Sequence, residues 1–152
     1  MSRYQESIRD YNKAINLNPY SEYLYDERAK LKMLSMDYEG ALEDVTKAIS
    51  IQPQNHQLRE HRIEDFITTG AYEDALADID TLSDSSYRKS DEYIKAALVN
   101  VLEEDYQSAY AMIDSALSYE KESAFAYDII GLLELQQENY ASAIRSFDRA
   151  IE

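Results

Sequence analysis

Side chains that could act on a substrate or hold a metal are few in this chain, and they are poorly spaced for it. The only histidines, His56 and His61, lie five residues apart. On a helix that step turns them roughly 140° from each other, so one face cannot offer both to one metal ion. They read as solvated surface histidines. Asp78, Asp80 and Asp84 suggest a calcium loop until the remaining positions are counted. Starting from Asp78, the fifth, sixth and twelfth places hold Leu82, Ser83 and Lys89, where an oxygen ligand, a glycine and a glutamate belong. The run Glu103, Glu104, Asp105 reads as the solvation of a turn. With no cysteine, no glycine-rich phosphate loop and no nucleophile motif, the expectation is no metal, no cofactor and no catalysis.

One arrangement of charges does repeat. Arg28 stands sixteen residues before Asp44, and Arg62 stands sixteen before Asp78. One step of 34 residues separates the two pairs. Two and three steps further on, both charges are lost together, to Ala96 with Met112 and to Ile130 with Ser146. Joint loss points to contact, so Arg28–Asp44 and Arg62–Asp78 are expected to be structural ion pairs between two helices of one unit. The rival pairing, Asp10 with Arg28 and Asp44 with Arg62, leaves Asp78 without an arginine. In the favoured pairing Asp10 is orphaned.

The same step of 34 organises the whole chain. Tyr4, Tyr38, Tyr72, Tyr106 and Tyr140 recur at that interval, each followed three residues later by Ser7, Ala41, Ala75, Ala109 or Ala143. Ala14, Ala48, Leu82, Ala116 and Ala150 keep the same register, as do Tyr11, Val45, Ile79, Ile113 and Phe147. Such self-similarity marks a copied supersecondary unit. From Glu22 to Met36 the apolar residues fall at helical steps, and Tyr38 to about Ile51 carries Ala41, Leu42, Val45, Ala48 and Ile49 on one stripe, with Pro53 just past its end. Only three Gly and two Pro in 152 residues favour helices over turn-rich sheets. The expected fold is all-α, a right-handed solenoid of antiparallel helix pairs. Residues 1–152 read as one array: a half repeat 1–21, repeats 22–55, 56–89 and 90–123, and an incomplete final repeat 124–152.

The segment from Tyr38 to Pro53 resembles the second helix of a tetratricopeptide repeat, and Tyr4 to Pro19 and Tyr140 to Glu152 are similar to it. The family's early aromatic and its small residue match Tyr25, Tyr93 and Tyr127, and Ala29, Ala97 and Gly131. Unit three departs, with Arg59, Ile63 and Tyr87 at the aromatic, small and proline places. Its second helix is predicted to end near Leu82, with the stack loosest over the polar exit 81–86. Unit four has Lys121 for the proline, which predicts a second helix running straight toward the next unit.

The resemblance implies a protein-interaction scaffold whose first helices line a concave groove. Carried over, the groove takes Tyr23, Asp26, Lys30 and Met33 from unit two, and Gln57, Glu60 and Glu64 from unit three. It takes Ile94, Leu98 and Val101 from unit four, and Phe125, Asp128 and Leu132 from unit five. The surface thus grades from charged to apolar, which suits a peptide with a hydrophobic anchor. The family's chaperone-tail clamp is not expected, because its cationic places read Asp26, Lys30, His61, Asp91 and Lys95 here. The net charge is −15, of which −14 falls after Arg62, so an acidic surface argues against nucleic acid as a partner. No apolar run approaches a membrane span. The register starts in mid-unit, as in a piece cut from a longer array, and compartment is not legible. The alternative role is a structural spacer or self-assembly segment. Apolar residues left at both ends, including Tyr4 and Ile151, would then drive copies of the chain to stack as a homo-oligomer.

Overall fold

The computed structural model describes residues 3–83 and 89–152. Among these residues it contains nine α-helices and no strand: α1 (Arg3–Leu17), α2 (Glu22–Leu34), α3 (Tyr38–Ile51), α4 (His56–Thr69), α5 (Tyr72–Ser83), α6 (Lys89–Leu102), α7 (Tyr106–Tyr119), α8 (Ala124–Gln136) and α9 (Tyr140–Ile151). The helices pack as the pairs of an all-α solenoid and divide into two compact units, Met1–Asp78 and Ile79–Glu152. Helix α5 reaches Ser83. The expectations attached to Asp84, Tyr87 and the loosest part of the stack lie outside the described residues.

In the first unit α2 packs on α3, α1 on α2, and α3 on α4. Its core gathers Ala29, Ala41, Val45, Ala48, Ile49 and Leu58, with Tyr25, Met33 and Leu42 against them. The small residues Ala41 and Ala48 are fully buried seven residues apart, so the backbones of neighbouring helices come close while larger side chains fill the grooves between. The second unit pairs α6 with α7 and α8 with α9, around Ala97, Val101, Ala109, Ile113, Ala126, Ile129 and Leu133. Gly131 on α8 lies against the ring of Phe147, where an added Cβ would meet two ring carbons at 2.6 and 2.7 Å.

The turn between the helices of a pair is the same each time. Met36, Gly70, Glu104 and Glu138, one repeat apart, all have positive φ, between 62° and 77°. That left-handed residue ends the first helix, and the next one or two residues open the second. Asp37 and Asp105 cap α3 and α7 by accepting the backbone N–H of Gly40 and Ser108, each at 3.2 Å. Between pairs the chain extends instead. Helix α7 does not run on past Lys121: it ends at Tyr119, and Glu120 adopts φ −134° and ψ 96°. The expectation of a straight run was tied to the missing proline, but α8 must fold back on α7, and the extended Glu120 makes that reversal without one.

Left-handed backbone costs a residue with a Cβ about 1–2 kcal/mol relative to glycine. Glu104→Gly is therefore expected to raise unfolding stability by about 1 kcal/mol, and Gly70→Ala to lower it by a similar amount, in urea denaturation.

Candidate functional site

The repeating charges form the best-defined polar contacts in the molecule. Arg28 donates from Nε and Nη2 to the two carboxylate oxygens of Asp44, at 2.7 and 2.6 Å. Arg62 does the same to Asp78, at 2.7 Å for both bonds. The third arm of each guanidinium crosses to the preceding pair: Arg28 Nη1 donates to Asn12 Oδ1 at 2.6 Å, and Arg62 Nη1 to Thr46 Oγ1 at 3.1 Å. Each arginine also lies over an aromatic ring, Arg28 at 5.5 Å from Tyr25 and Arg62 at 5.7 Å from Phe66. Asn12 and Thr46 went unnoticed in the sequence, although their separation of one repeat was a readable signal. Asp10 is not orphaned: Lys13, three residues on, donates to it at 3.0 Å. A helical carboxylate finds a partner on its own helix when the neighbouring one supplies none.

The groove residues of the first unit surround a cleft of about 270 Å³ between α2 and α4. Tyr23, Asp26, Lys30 and Gln57 line it together with Glu22, Glu27, Asn55, Leu58 and His61. Met33 is half-buried against the core, Glu60 is half-buried outside the cleft lining, and Glu64 is exposed. Asp26 is the focus of the cleft, only 6% exposed. Lys30 Nζ lies 2.8 Å from its Oδ2, and His61 Nδ1 lies 2.8 Å from its Oδ1. His61 is thus no solvated surface histidine. The sequence reading compared the two histidines only with each other, whereas the partner of His61 stands on the facing helix, one repeat and one residue earlier.

Electrostatics follow from these contacts. Burial pushes the Asp26 carboxyl up, but hydrogen bonds from His61 and Lys30 outweigh it and hold the group below its ordinary value. His61 is raised by its hydrogen bond to Asp26, against burial. Lys30 also contacts Glu27 at 2.8 Å, so its charge is answered within the protein and a carboxylate ligand would have to compete for it. Asp65, one turn beyond His61, is pushed up to about 6, chiefly by burial, with Glu64 and Asp26 adding to the effect and His61 opposing it. Its repeat position holds Leu31, Val99 and Leu133 in the other units. An apolar environment therefore receives a carboxylate in unit three alone.

In the second unit the groove residues divide. Phe125, Asp128 and Leu132 are exposed on α8, where their spacing places them on one face with the exposed Leu135. Ile94 and Leu98 of α6 pack half-buried on the core. Val101 is a correction. It is 3% exposed inside the core cluster and cannot line a groove. Helix α6 is apolar on most sides from Ala96 to Leu102, so the buried face takes Val101 and Leu102 is left exposed in its place.

Two pH-dependent outcomes follow. Because Asp65 titrates higher folded than unfolded, its unfavourable charging is absent below the unfolded value and complete above the folded one. Asp65→Asn should match the wild type in stability near pH 3.8 and exceed it above about pH 6. The gain is about 1 kcal/mol after discounting for its partial exposure, read from urea midpoints across pH. The His61–Asp26 contact has the same direction of dependence for the histidine. Its contribution is whole below pH 6.5 and is lost as pH rises through the raised folded value. His61→Asn should therefore destabilise by about 1 kcal/mol in acid and progressively less at alkaline pH.

No protein-family model matches the sequence, and no curated protein matches it. Solved structures do resemble its fold. A tetratricopeptide repeat protein from Parabacteroides merdae superposes with a TM-score of 0.80 at 22% identity, covering 97% of this chain and 59% of that one. MamA residues 41 to the end, from Desulfovibrio magneticus RS-1, gives 0.78 at 12% identity, over 97% and 84% of the two chains. YrrB, a tetratricopeptide protein described as having an unusual peptide-binding site, gives 0.69 at 16% identity, over 97% and 76%. With nine helices in the described residues, their repeated turn and these likenesses, the fold is that of the tetratricopeptide-repeat solenoids.

Proposed function

We propose that this chain is a protein-interaction scaffold whose first helices receive a peptide or protein segment, without chemistry of its own. The repeats 22–55, 56–89 and 90–123, with partial repeats on either side, act in this reading as one array. The observation that carries it is the exposed apolar face of α8. Phe125 is 69% exposed, and Leu132 and Leu135 follow it at helical spacing without a covering element. A soluble fold that leaves an aromatic and two leucines together on one helix face has a surface suited to an apolar anchor. The peptide-binding site ascribed to YrrB supports the reading by analogy of fold.

The titratable groups support the absence of catalysis. Asp26, His61 and Lys30 are the closest-set ionisable groups among the groove residues, and they are bonded to one another. A general base needs a free lone pair aimed at a substrate proton. Unit one would then supply polar contacts through Tyr23 and Gln57, and unit two the apolar ones.

Selection from a displayed random-peptide library tests the proposal. Enriched peptides should share an apolar anchor, and Leu132→Asp should weaken them at least about tenfold, while His61→Asn leaves them within about twofold. Peptides that bind the Leu132→Asp variant as tightly as the wild type would contradict the groove assignment. Failure to enrich any peptide, with mass rising with concentration in sedimentation, would favour the spacer role.

A further inference from the structure

The outer face of α9 is open at a position that is covered elsewhere in the chain. Ile15 on α1 and Ile49 on α3 stand one repeat apart and are 7% and 8% exposed. Helix α1 packs on α2, and α3 packs on α4, whose Leu58 shares a core cluster with Ile49. Ile151 has the same repeat position on α9 and is 84% exposed, with Ile144 at 60% two turns earlier. Among the described residues α9 packs chiefly on α8, which lies on its other side.

The helices that cover α1 and α3 share a chemistry. Each carries a leucine followed four residues later by an arginine, Leu24 and Arg28 on α2, Leu58 and Arg62 on α4. Both arginines reach one position on the helix they cover, Asn12 on α1 at 2.6 Å and Thr46 on α3 at 3.1 Å. On α9 that position is Asp148, which is exposed. A carboxylate accepts from a guanidinium more strongly than an amide or hydroxyl oxygen does. Helix α8 packs on α7 with Ala126 and Ile130 at these two places, so apolar contact alone can suffice and the arginine adds to it.

We propose that α9 docks an amphipathic helix of another protein, one that sets a leucine against Ile151 and an arginine, four residues on, against Asp148. Its length is that of α2 and α4, 13 to 14 residues. A second copy of this chain does not supply it. The leucine and arginine recur at this spacing only on α2 and α4, and both helices are packed between neighbours in the first unit. The site lies on the second helix of a pair, so it is separate from the groove of the first helices, and either assignment can fail alone.

The probe is a synthetic peptide of residues 56–69, the α4 sequence, labelled with fluorescein and held helical by a staple between positions 60 and 64. Stapling is needed because isolated helices this short are marginal in water. Titration with the 152-residue chain should give saturable anisotropy. Ile151→Glu should weaken binding at least about tenfold, and Asp148→Lys less, about threefold to tenfold. Peptide carrying Arg62→Glu should recover affinity for the Asp148→Lys chain and lose it for the wild type. Both substituted residues are exposed, and circular dichroism checks that the variants remain folded. Three results would overturn the proposal. These are no saturable binding to the wild-type chain, equal binding to the Ile151→Glu chain, and a wild-type dimer in sedimentation that Ile151→Glu returns to monomer. The last would assign the face to a second copy.

Discussion

Two guanidinium groups hold the first unit together. Asp44 and Asp78 are 4% and 7% exposed, and a carboxylate buried that far from water is tolerable only when its oxygens are fully answered. Arg28 and Arg62 answer both oxygens and spend the remaining arm on Asn12 or Thr46. One side chain thereby fixes three helices. Arg28 joins α1, α2 and α3, and Arg62 joins α3, α4 and α5. The planar fork sets direction as well as distance, so it fixes how a pair closes and how it sits on the pair before it. Lys32 adds a second cation to Asp44 at 2.9 Å, and Arg59 stands 4.0 Å from Asp78. Burial of alanines beneath these contacts supplies the close approach that lets such short polar bonds span neighbouring helices.

The second unit solves the same packing problem with apolar contacts. Where the first has Arg–Asp pairs, it has Ala96 with Met112 and Ile130 with Ser146. Its core is correspondingly continuous, from Ala97 and Val101 through Ile113 to Leu133, with Met112 and Ile130 packed on it. The difference carries to the surface. Charged groove residues in the first unit are largely committed to one another, through Asp26, Lys30 and His61, whereas the second leaves Phe125, Leu132 and Leu135 uncovered. Unit one is thus suited to orienting a partner through polar contacts, and unit two to gripping it.

Much of this was legible from the step of 34 residues. The register placed the helices and their turns because each copy repeats the same local solution, and the joint loss of two charges singled out Arg28 with Asp44 and Arg62 with Asp78. Contacts that occur once were harder. His61 meets Asp26 across two units, and no other repeat has a histidine or an aspartate in those places to reveal the pairing. Val101 was misplaced because α6 is apolar on nearly every side, so periodicity could not tell its groove face from its core face. The reversal after Tyr119 depends on backbone dihedrals at Glu120, which a missing proline does not determine. Asp65 was a readable anomaly, a carboxylate in a column otherwise filled by Leu31, Val99 and Leu133.

A double-mutant cycle on Arg62 and Asp78 tests most directly whether the arginine fork is what the first unit depends on. Arg62→Met, Asp78→Leu and the double variant would each be unfolded in urea and compared with the wild type. The account predicts that either single change lowers stability by about 3–5 kcal/mol, since it strands a buried charge, and that the double variant loses much less than the sum. A coupling energy near zero, with both single variants within about 0.5 kcal/mol of the wild type, would contradict it.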